Sequence, residues 1–257
     1  EDSWKVLMKL LPGVTTTKIG NPKPVYMKVS DFDEGPLVSE YWEVSRSYCR
    51  DALEGAHGNV DRILDIVSNV NSFKTADLID ELCDMVREEV PKVSEYEQYR
   101  VWSCMCSCLN KHDQYKDAEW ALSKEGREKL REVVGQITPA DSYYAALRLL
   151  SLSEWELIDH RNKRNEEHDK LKNLRVNTLC GLYKDYGISI VERLINDGAK
   201  GSITGYVLAG IEFEEKDCQA VLAFLAKDMA GNSELGDVAR SYAWAKTVNV
   251  GLDWIDA

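Results

Sequence analysis

The sequence predicts an all-α protein, built as an irregular α-solenoid or array of antiparallel helix pairs with essentially no sheet. Apolar residues recur at i, i+3, i+4 and i+7 in one segment after another, which is typical of amphipathic helices. Capping residues and Gly or Pro stops bracket these segments. No stretch of about 4–8 residues alternates steadily between apolar and polar side chains, as a half-buried strand does. A strict repeat period is not visible, so no named repeat type is assigned.

The N-terminal part of the chain combines a short helix with a proline-rich segment. Ser3–Leu11 is apolar and helical in character, and Pro12-Gly13 ends it. Four of the six prolines lie between Pro12 and Pro36. Their fixed φ and missing N–H donors disfavour regular structure there. The segment is either a functional loop or an extended strap across the helices, and the sequence leaves both readings open.

Four helices follow, and their ends are marked in the sequence. Pro91 closes the third of them. Ser94 and Glu97 form a capping box at the start of the fourth. The predicted bounds are Leu37–Gly55, Asn59–Val70, Thr75–Val90 and Ser94–His112.

The stretch from Tyr99 to Asp141 organises the middle of the chain. The helix that ends near His112 gives way to a short polar turn, and Trp120 then returns to the core. A second amphipathic helix runs to Ile137 and stops at Thr138-Pro139, because a proline cannot continue a helix. The sequence therefore predicts two core helices joined by a turn that a tryptophan anchors.

The C-terminal part begins with a helix over Tyr143–Leu150 and a short helical piece, SEWELI. A long charged helix then runs from about Arg161 to Tyr186 and ends at Gly187. Its predicted core positions are Leu171, Leu174, Thr178 and Leu182.

Short helices separated by glycines complete the chain. Their predicted bounds are Ile188–Asp197, Ser202–Ile211, Glu215–Met229 and Glu234–Val248. Three regions are thus expected: a short helix with the proline-rich segment over 1–36, a helical array over 37–160, and the long helix with its short successors over 161–257. They are expected to form one continuous solenoid. Because the chain starts at Glu1 without an initiator Met, we expect a piece of a larger protein.

Composition excludes several classes of protein. The formal net charge is −12, from 32 basic and 44 acidic side chains. This balance argues against a nucleic-acid partner, which requires a basic surface, and leaves a basic protein partner open. No run approaches the roughly 20 apolar residues of a membrane span. Seven cysteines, an odd number in a long chain, indicate reduced cytosolic thiols rather than a disulfide framework.

No catalytic, cofactor-binding or metal-binding residue is expected. Cys104, Cys106 and Cys108 stand two apart on a helix, so neighbours diverge by about 200° and only the outer two share a face. Core packing accounts for them better than a tetrahedral metal site. His112 ends a helix, where a protonated imidazole would be stabilised by the unpaired carbonyl groups of the last turn. The chain has no P-loop, no G-x-S-x-G elbow and no H-E-x-x-H array.

Several short motifs follow one another in a characteristic order along nearly the whole chain. They are Trp4–Pro12, Pro22-Lys-Pro24, Val101-Trp102, Lys111-His112, Tyr115, Glu119–Leu122, Ile137–Asp141, Arg175, Tyr186-Gly187, Ala239–Tyr242, Gly251 and Trp254. This order resembles the large helical region C-terminal to the NTPase core of prokaryotic antiviral STAND NTPases, the Avs-type defence proteins. The chain departs from the family pattern at Asp113, where a basic residue is usual, and at Ser123, where a proline is usual.

The resemblance implies a function for the chain and its parent protein. In this family an N-terminal effector and a central ATPase precede a helical sensor, which binds a phage protein. The chain would then be the non-enzymatic sensor part, cytoplasmic in a prokaryote, with the phage terminase large subunit or portal protein as partner. Target binding would trigger oligomerisation and effector activation only in the full-length ATPase. The alternative is a helical scaffold or adaptor for a host protein, unrelated to defence.

The motifs carry structural roles rather than chemistry. Their expected anchors, most of them large side chains that hold helices and turns together, are Trp4, Trp102, His112, Trp120, Pro139 and Trp254. No catalytic residue follows from the resemblance, and neither the motifs nor the composition identifies the residues that contact a target.

Overall fold

Regular structure in the described part of the chain is entirely helical, as the sequence predicts. The computed structural model describes residues 3–11, 35–118, 120–158, 164–227 and 233–250. These residues form thirteen α-helices and two short 3₁₀ helices, with no strand among them. No helix in these ranges is both long and apolar enough to cross a membrane. The solenoid arrangement stays a prediction.

The chain divides into two compact units, Glu1–Thr138 and Pro139–Ala257. The division falls at the proline that the sequence singled out as a helix stop. The bounds expected after residues 36 and 160 stay predictions. The predicted proline-rich segment lies outside the described residues over 12–34.

The described residues of the first unit form six α-helices. Their bounds are α1 Ser3–Leu10, α2 Gly35–Ala56, α3 Val60–Ser68, α4 Ala76–Glu89, α5 Glu95–Gln114 and α6 Lys124–Gln136, with 3₁₀ helices at Val70–Phe73 and Val90–Lys92. Helix α5 packs against both α3 and α6, and α4 packs against α6. Buried aliphatic side chains such as Ile66, Val86 and Val133 form the core between them. The predicted capping box is present, since Ser94 and Glu97 bond reciprocally at the start of α5.

Trp4 attaches the first helix to this core. Its ring is buried, and its Nε1–H donates to Asp65 Oδ2 at 2.8 Å. The guanidinium of Arg62 lies over the Trp4 ring, 4.8 Å from its centroid. Asp65 and Arg62 both belong to α3, so one aromatic side chain joins α1 to a helix about 60 residues further along the chain.

In the second unit, the ranges that the structure describes contain seven α-helices. Their bounds are α7 Ser142–Ser151, α8 Glu154–Leu157, α9 Arg164–Tyr186, α10 Ser189–Asn196, α11 Gly201–Ala209, α12 Glu215–Leu225 and α13 Glu234–Val250. Gly187 follows α9 with φ +65°, the left-handed conformation that ends helices and favours glycine. The short helices predicted after Gly187 are all present, with ends within a few residues of the expected ones.

Helices α11 and α13 form the closest contact of the second unit. Gly201 and Gly205 lie one turn apart on α11, and both are buried against the backbone of α13. A Cβ on Gly201 would collide with the carbonyl oxygen of Glu234, and one on Gly205 with the carbonyl oxygen of Val238. Only glycine allows the two backbones to approach this closely.

The core-facing side of α9 differs from the predicted one. Leu171 and Leu182 are buried as expected, but Leu174 is 52% exposed. The next residue, Arg175, is buried instead, and Leu179 continues its face. The prediction at Leu174 was wrong because the neighbouring Arg175, an arginine with satisfied donors, occupies the core position instead.

The glycine contact can be tested with two alanine substitutions in the same unit. We expect Gly205→Ala to lower the free energy of unfolding by about 1–3 kcal/mol, the usual cost of overpacking, because its methyl group would meet the α13 backbone. Equilibrium urea denaturation followed by circular dichroism measures this change.

Gly181→Ala is the matched control. Gly181 is an exposed helical glycine of α9 with nothing within 4 Å of a Cβ. Alanine there should raise stability by about 0.5–1 kcal/mol, because the unfolded chain loses freedom. Equal effects of the two substitutions would contradict the close α11–α13 packing.

Candidate functional site

The second unit carries a groove with a volume of about 470 Å³ between α8, α9, α11 and α13. We call it the aromatic groove, because three of its lining side chains are large aromatic rings. Its lining residues are Ser153, Glu154, Trp155, Arg175, Ser202, Ile203, Tyr206, Ser241 and Trp244. They come from four separate segments of the chain, so the groove exists only in the folded unit.

A capping box fixes the short helix α8 at one wall of the groove. The backbone N–H and the hydroxyl of Ser153 donate to the Glu156 carboxylate at 2.8 and 2.6 Å. These hydrogen bonds lower the pKa of Glu156 from its ordinary value. A helix of only four residues is marginal on its own, so this reciprocal capping holds Glu154 and Trp155 in place.

The opposite walls are positioned by the glycine contact. Ile203 and Tyr206 lie on α11, and Ser241 and Trp244 lie on α13. The backbones of α11 and α13 approach closely at Gly201 and Gly205, and side chains of both helices line the groove beside this contact. The rings of Tyr206 and Trp244 lie 6.3 Å apart with an angle of 36° between their planes.

The rings of the groove are exposed to an unusual degree. Trp155 is 64% exposed and Trp244 is 60% exposed, and Tyr206 is also open to solvent. Single exposed apolar residues are normal on protein surfaces. Three large aromatic side chains on one concave surface are a different case, since such clusters mark interaction sites.

A buried guanidinium lies at the base of the groove. Arg175 is 6% exposed, and its Nε and Nη2 donate to the carbonyl oxygens of Leu149 and Leu152 at 2.9 and 2.7 Å. These carbonyls belong to the C-terminal end of α7, which has no intrahelical donors for them. Burial lowers the pKa of Arg175, and the nearby Glu154 carboxylate opposes that effect. Arginine nevertheless stays charged in proteins.

Glu154 supplies the charge that solvent meets in the groove. Its side chain is 41% exposed. One carboxylate oxygen, Oε2, lies 2.7 Å from His168 Nδ1, and the other, Oε1, lies 3.8 Å from Arg175 Nη1. The second distance is too long for a hydrogen bond, so Oε1 retains capacity to accept one.

Three potential metal ligands lie close together in the first unit, at His57, Glu88 and Glu89. The ammonium of Lys92 lies 3.1 Å from Glu88 and 3.0 Å from Glu89. Hydrogen bonds from His57, Lys92 and the Gly58 N–H lower the pKa of Glu89 to about 2. The lysine already supplies the positive charge of this cluster, and Glu89 holds the turn after α2, so the cluster has a structural explanation.

The anchors expected from the sequence fall mainly in the first unit. Trp102 is half-buried against the core, Trp120 is half-buried beside His112, and Pro139 is buried. Trp254 lies outside the described residues. The groove is lined by none of the anchors that the described ranges contain. The sequence reading missed Trp155, although the S-x-x-E box around it is a visible signal that this tryptophan opens a short capped helix.

His112 is a buried neutral acceptor, and the expected imidazolium at the helix end was wrong. The ring is 3% exposed, and its Nδ1 accepts the backbone N–H of Leu122 at 3.1 Å. Burial, together with the charges of Lys111 and Arg127, lowers the pKa of His112 to about 4. The Trp120 ring covers it with an edge contact at 5.2 Å between centroids. The histidine therefore ties the turn back onto α5.

The cysteines at 104 and 108 share a face of α5, as their spacing predicts. Cys104 Sγ lies 3.5 Å from Ser68 Oγ, and Cys108 Sγ donates to the Val67 carbonyl oxygen at 3.3 Å. The neighbouring Cys108 and Ser68 side chains lower the pKa of Cys104 to about 7. Cys106 is also half-buried, on another part of the helix surface. Both contacts face α3, so the two thiols contribute to the α3–α5 packing.

No protein-family model, curated protein or solved structure matches the chain. The candidate site therefore rests on its own geometry, which offers exposed rings, one accessible carboxylate and a buried guanidinium.

The His112 contact makes the stability of the first unit depend on pH. The ring takes up a proton near pH 6.5 in the unfolded chain but only near pH 4 in the folded one. The stabilising effect of the neutral ring is therefore complete above pH 6.5 and is lost as the pH falls through 4, by about 3 kcal/mol in all. Urea denaturation between pH 7 and pH 4 measures this loss.

His112→Gln is the control, because glutamine can accept the Leu122 N–H without titrating. Carboxylates also titrate below pH 5, so the informative quantity is the difference between wild type and variant. The two proteins should converge in stability as the pH falls. Parallel curves over the whole range would contradict a neutral buried His112.

Proposed function

We propose that the chain is a non-enzymatic protein-recognition module, and that the aromatic groove is part of its partner surface. One observation carries the proposal: Trp155, Tyr206 and Trp244 present large rings to solvent around a concave surface. Tryptophan and tyrosine dominate the energetics of protein interfaces, because each buries a large area at little entropic cost. A folded unit that leaves three such rings exposed is best explained by a partner that covers them.

The polar groups of the groove support binding more than catalysis. The Ser153 hydroxyl is engaged in the capping box. The Arg175 donors are directed at backbone carbonyls. A nucleophile requires a base within hydrogen-bond reach that is itself oriented by a third group, and the groove residues do not supply such a series.

The more specific proposal is that this module belongs to the sensor of an antiviral STAND NTPase and binds a phage protein, the terminase large subunit or the portal. The order of motifs from Trp4 to Trp254 supports it. The module would then act in the prokaryotic cytoplasm, as part of a helical solenoid. Partner binding would drive oligomerisation of the ATPase in the parent protein.

A host-protein scaffold is the second candidate. The groove supports a scaffold as well as it supports a sensor. Trp155, Tyr206 and Trp244 are not among the motif anchors, so a partner surface at the groove does not depend on the resemblance to STAND NTPases. A Walker A motif upstream of Glu1 in the parent reading frame would separate the two, since the sensor hypothesis requires an ATPase in the same protein.

The rim tryptophans provide the functional test. We expect Trp155→Ala and Trp244→Ala each to weaken partner binding at least tenfold, as central interface aromatics do. Both rings are mainly exposed, so the free energy of unfolding should change by less than about 1 kcal/mol. Co-purification of the chain with a panel of phage structural proteins, followed by titration of any that bind, measures the effect.

Tyr96→Ala is the matched control, since Tyr96 is an exposed aromatic side chain of the first unit. It should leave binding unchanged. Wild-type affinity in both tryptophan variants would exclude the groove as the partner surface. If the intact parent binds no phage protein and infection fails to activate it, the sensor proposal is abandoned in favour of the scaffold.

A further inference from the structure

We propose that the aromatic groove receives an arginine side chain displayed by the partner protein. This inference rests on the proposed recognition function and names the chemistry that the groove would select.

Among the residues that line the groove, the charged group open to solvent is the Glu154 carboxylate. Glu154 and Arg175 are the two lining residues that are charged at neutral pH. Arg175 is almost completely buried, with donors directed at the Leu149 and Leu152 carbonyls, whereas the Glu154 carboxylate is open to solvent. Within the part of the chain that the structure describes, the nearest ion-pair partner of Glu154 Oε1 is Arg175 Nη1 at 3.8 Å. An entering donor can therefore bond to it, and a cationic donor makes the strongest bond.

The rim is suited to a flat cation. Aromatic faces attract cations through the ring quadrupole, tryptophan most strongly. One ring already does so within the chain, because Lys172 Nζ lies 5.6 Å from the centroid of Tyr206. A guanidinium is planar and weakly hydrated, so it can stack on an indole while its edge donates to a carboxylate. A lysine ammonium is strongly hydrated and cannot make both contacts with the same geometry.

The size of the groove fits a side chain rather than a whole helix. Its volume of about 470 Å³ lies in the range of about 300–1,000 Å³ that is typical of small-molecule sites. An arginine side chain with its flanking backbone can enter a space of this size. The net charge of −12 adds long-range attraction for a partner with a basic surface.

The experiment uses the 257-residue chain and a blocked peptide, Gly-Gly-Arg-Gly-Gly, followed through the indole N–H signals of the tryptophans by NMR. We expect the Trp155 and Trp244 signals to shift, with a dissociation constant on the order of millimolar. The same peptide with citrulline, which has the shape of arginine without its charge, should bind at least tenfold more weakly. A lysine peptide should fall between the two.

Glu154→Gln removes the carboxylate charge and keeps the side-chain shape. It should weaken the arginine peptide about tenfold and leave the citrulline peptide unchanged. Glu212→Gln is the matched control, because Glu212 is an exposed residue of the same unit outside the groove and its substitution changes the net charge equally. Since Glu154 also contacts His168, Trp244→Ala serves as a second variant that leaves this ion pair intact.

Three results would overturn the arginine proposal: equal binding of the arginine and citrulline peptides, no shift of either tryptophan at tens of millimolar peptide, or equal effects of Glu154→Gln and Glu212→Gln. Different results test the proposed recognition function itself. If the tryptophan variants lose a protein partner while the arginine peptide does not bind, recognition through the groove stands and its ligand is not arginine. If they retain every partner, the groove itself is excluded.

Discussion

The second unit depends on the burial of one positive charge. Moving a guanidinium out of water is costly unless its donors and its charge are both compensated. Arg175 meets this condition with the carbonyl groups at the end of α7 and with the nearby Glu154. The Arg175 side chain of α9 thereby supplies donors to the C-terminal carbonyl groups of α7. It also lies beside the Glu154 carboxylate of the groove. Losing it would leave two carbonyls and an acidic group to find other partners.

The parts of the fold that the sequence predicted are those governed by local chemistry. The box of Ser94 and Glu97, the stop at Pro139 and the glycine after α9 each depend on residues within one turn, so they are readable without tertiary knowledge. The side of α9 that faces the core was not readable in this way. Periodicity assigns core positions by apolar character, and nothing local distinguishes a buried arginine from an exposed one.

The groove was beyond sequence reading for a related reason. Trp155 and Trp244 are about 90 residues apart, on α8 and α13, and only the folded unit brings both to one groove. The sequence shows Gly201 and Gly205 with the spacing of one helical turn, but glycines of this kind equally mark breaks between short helices. His112 shows the same limit in the first unit, since a histidine at a helix end is charged or neutral according to what covers it.

The closeness of α11 and α13 divides the residues of this unit into two groups with different freedom to change. Positions 201 and 205 accept no side chain larger than hydrogen without moving a helix. The rim positions project into solvent, where most substitutions leave folding intact. Such a surface can diversify over generations while the frame beneath it stays constant. A recognition module whose ligand alters under selection would benefit from this separation, because new specificities arise without loss of the folded protein.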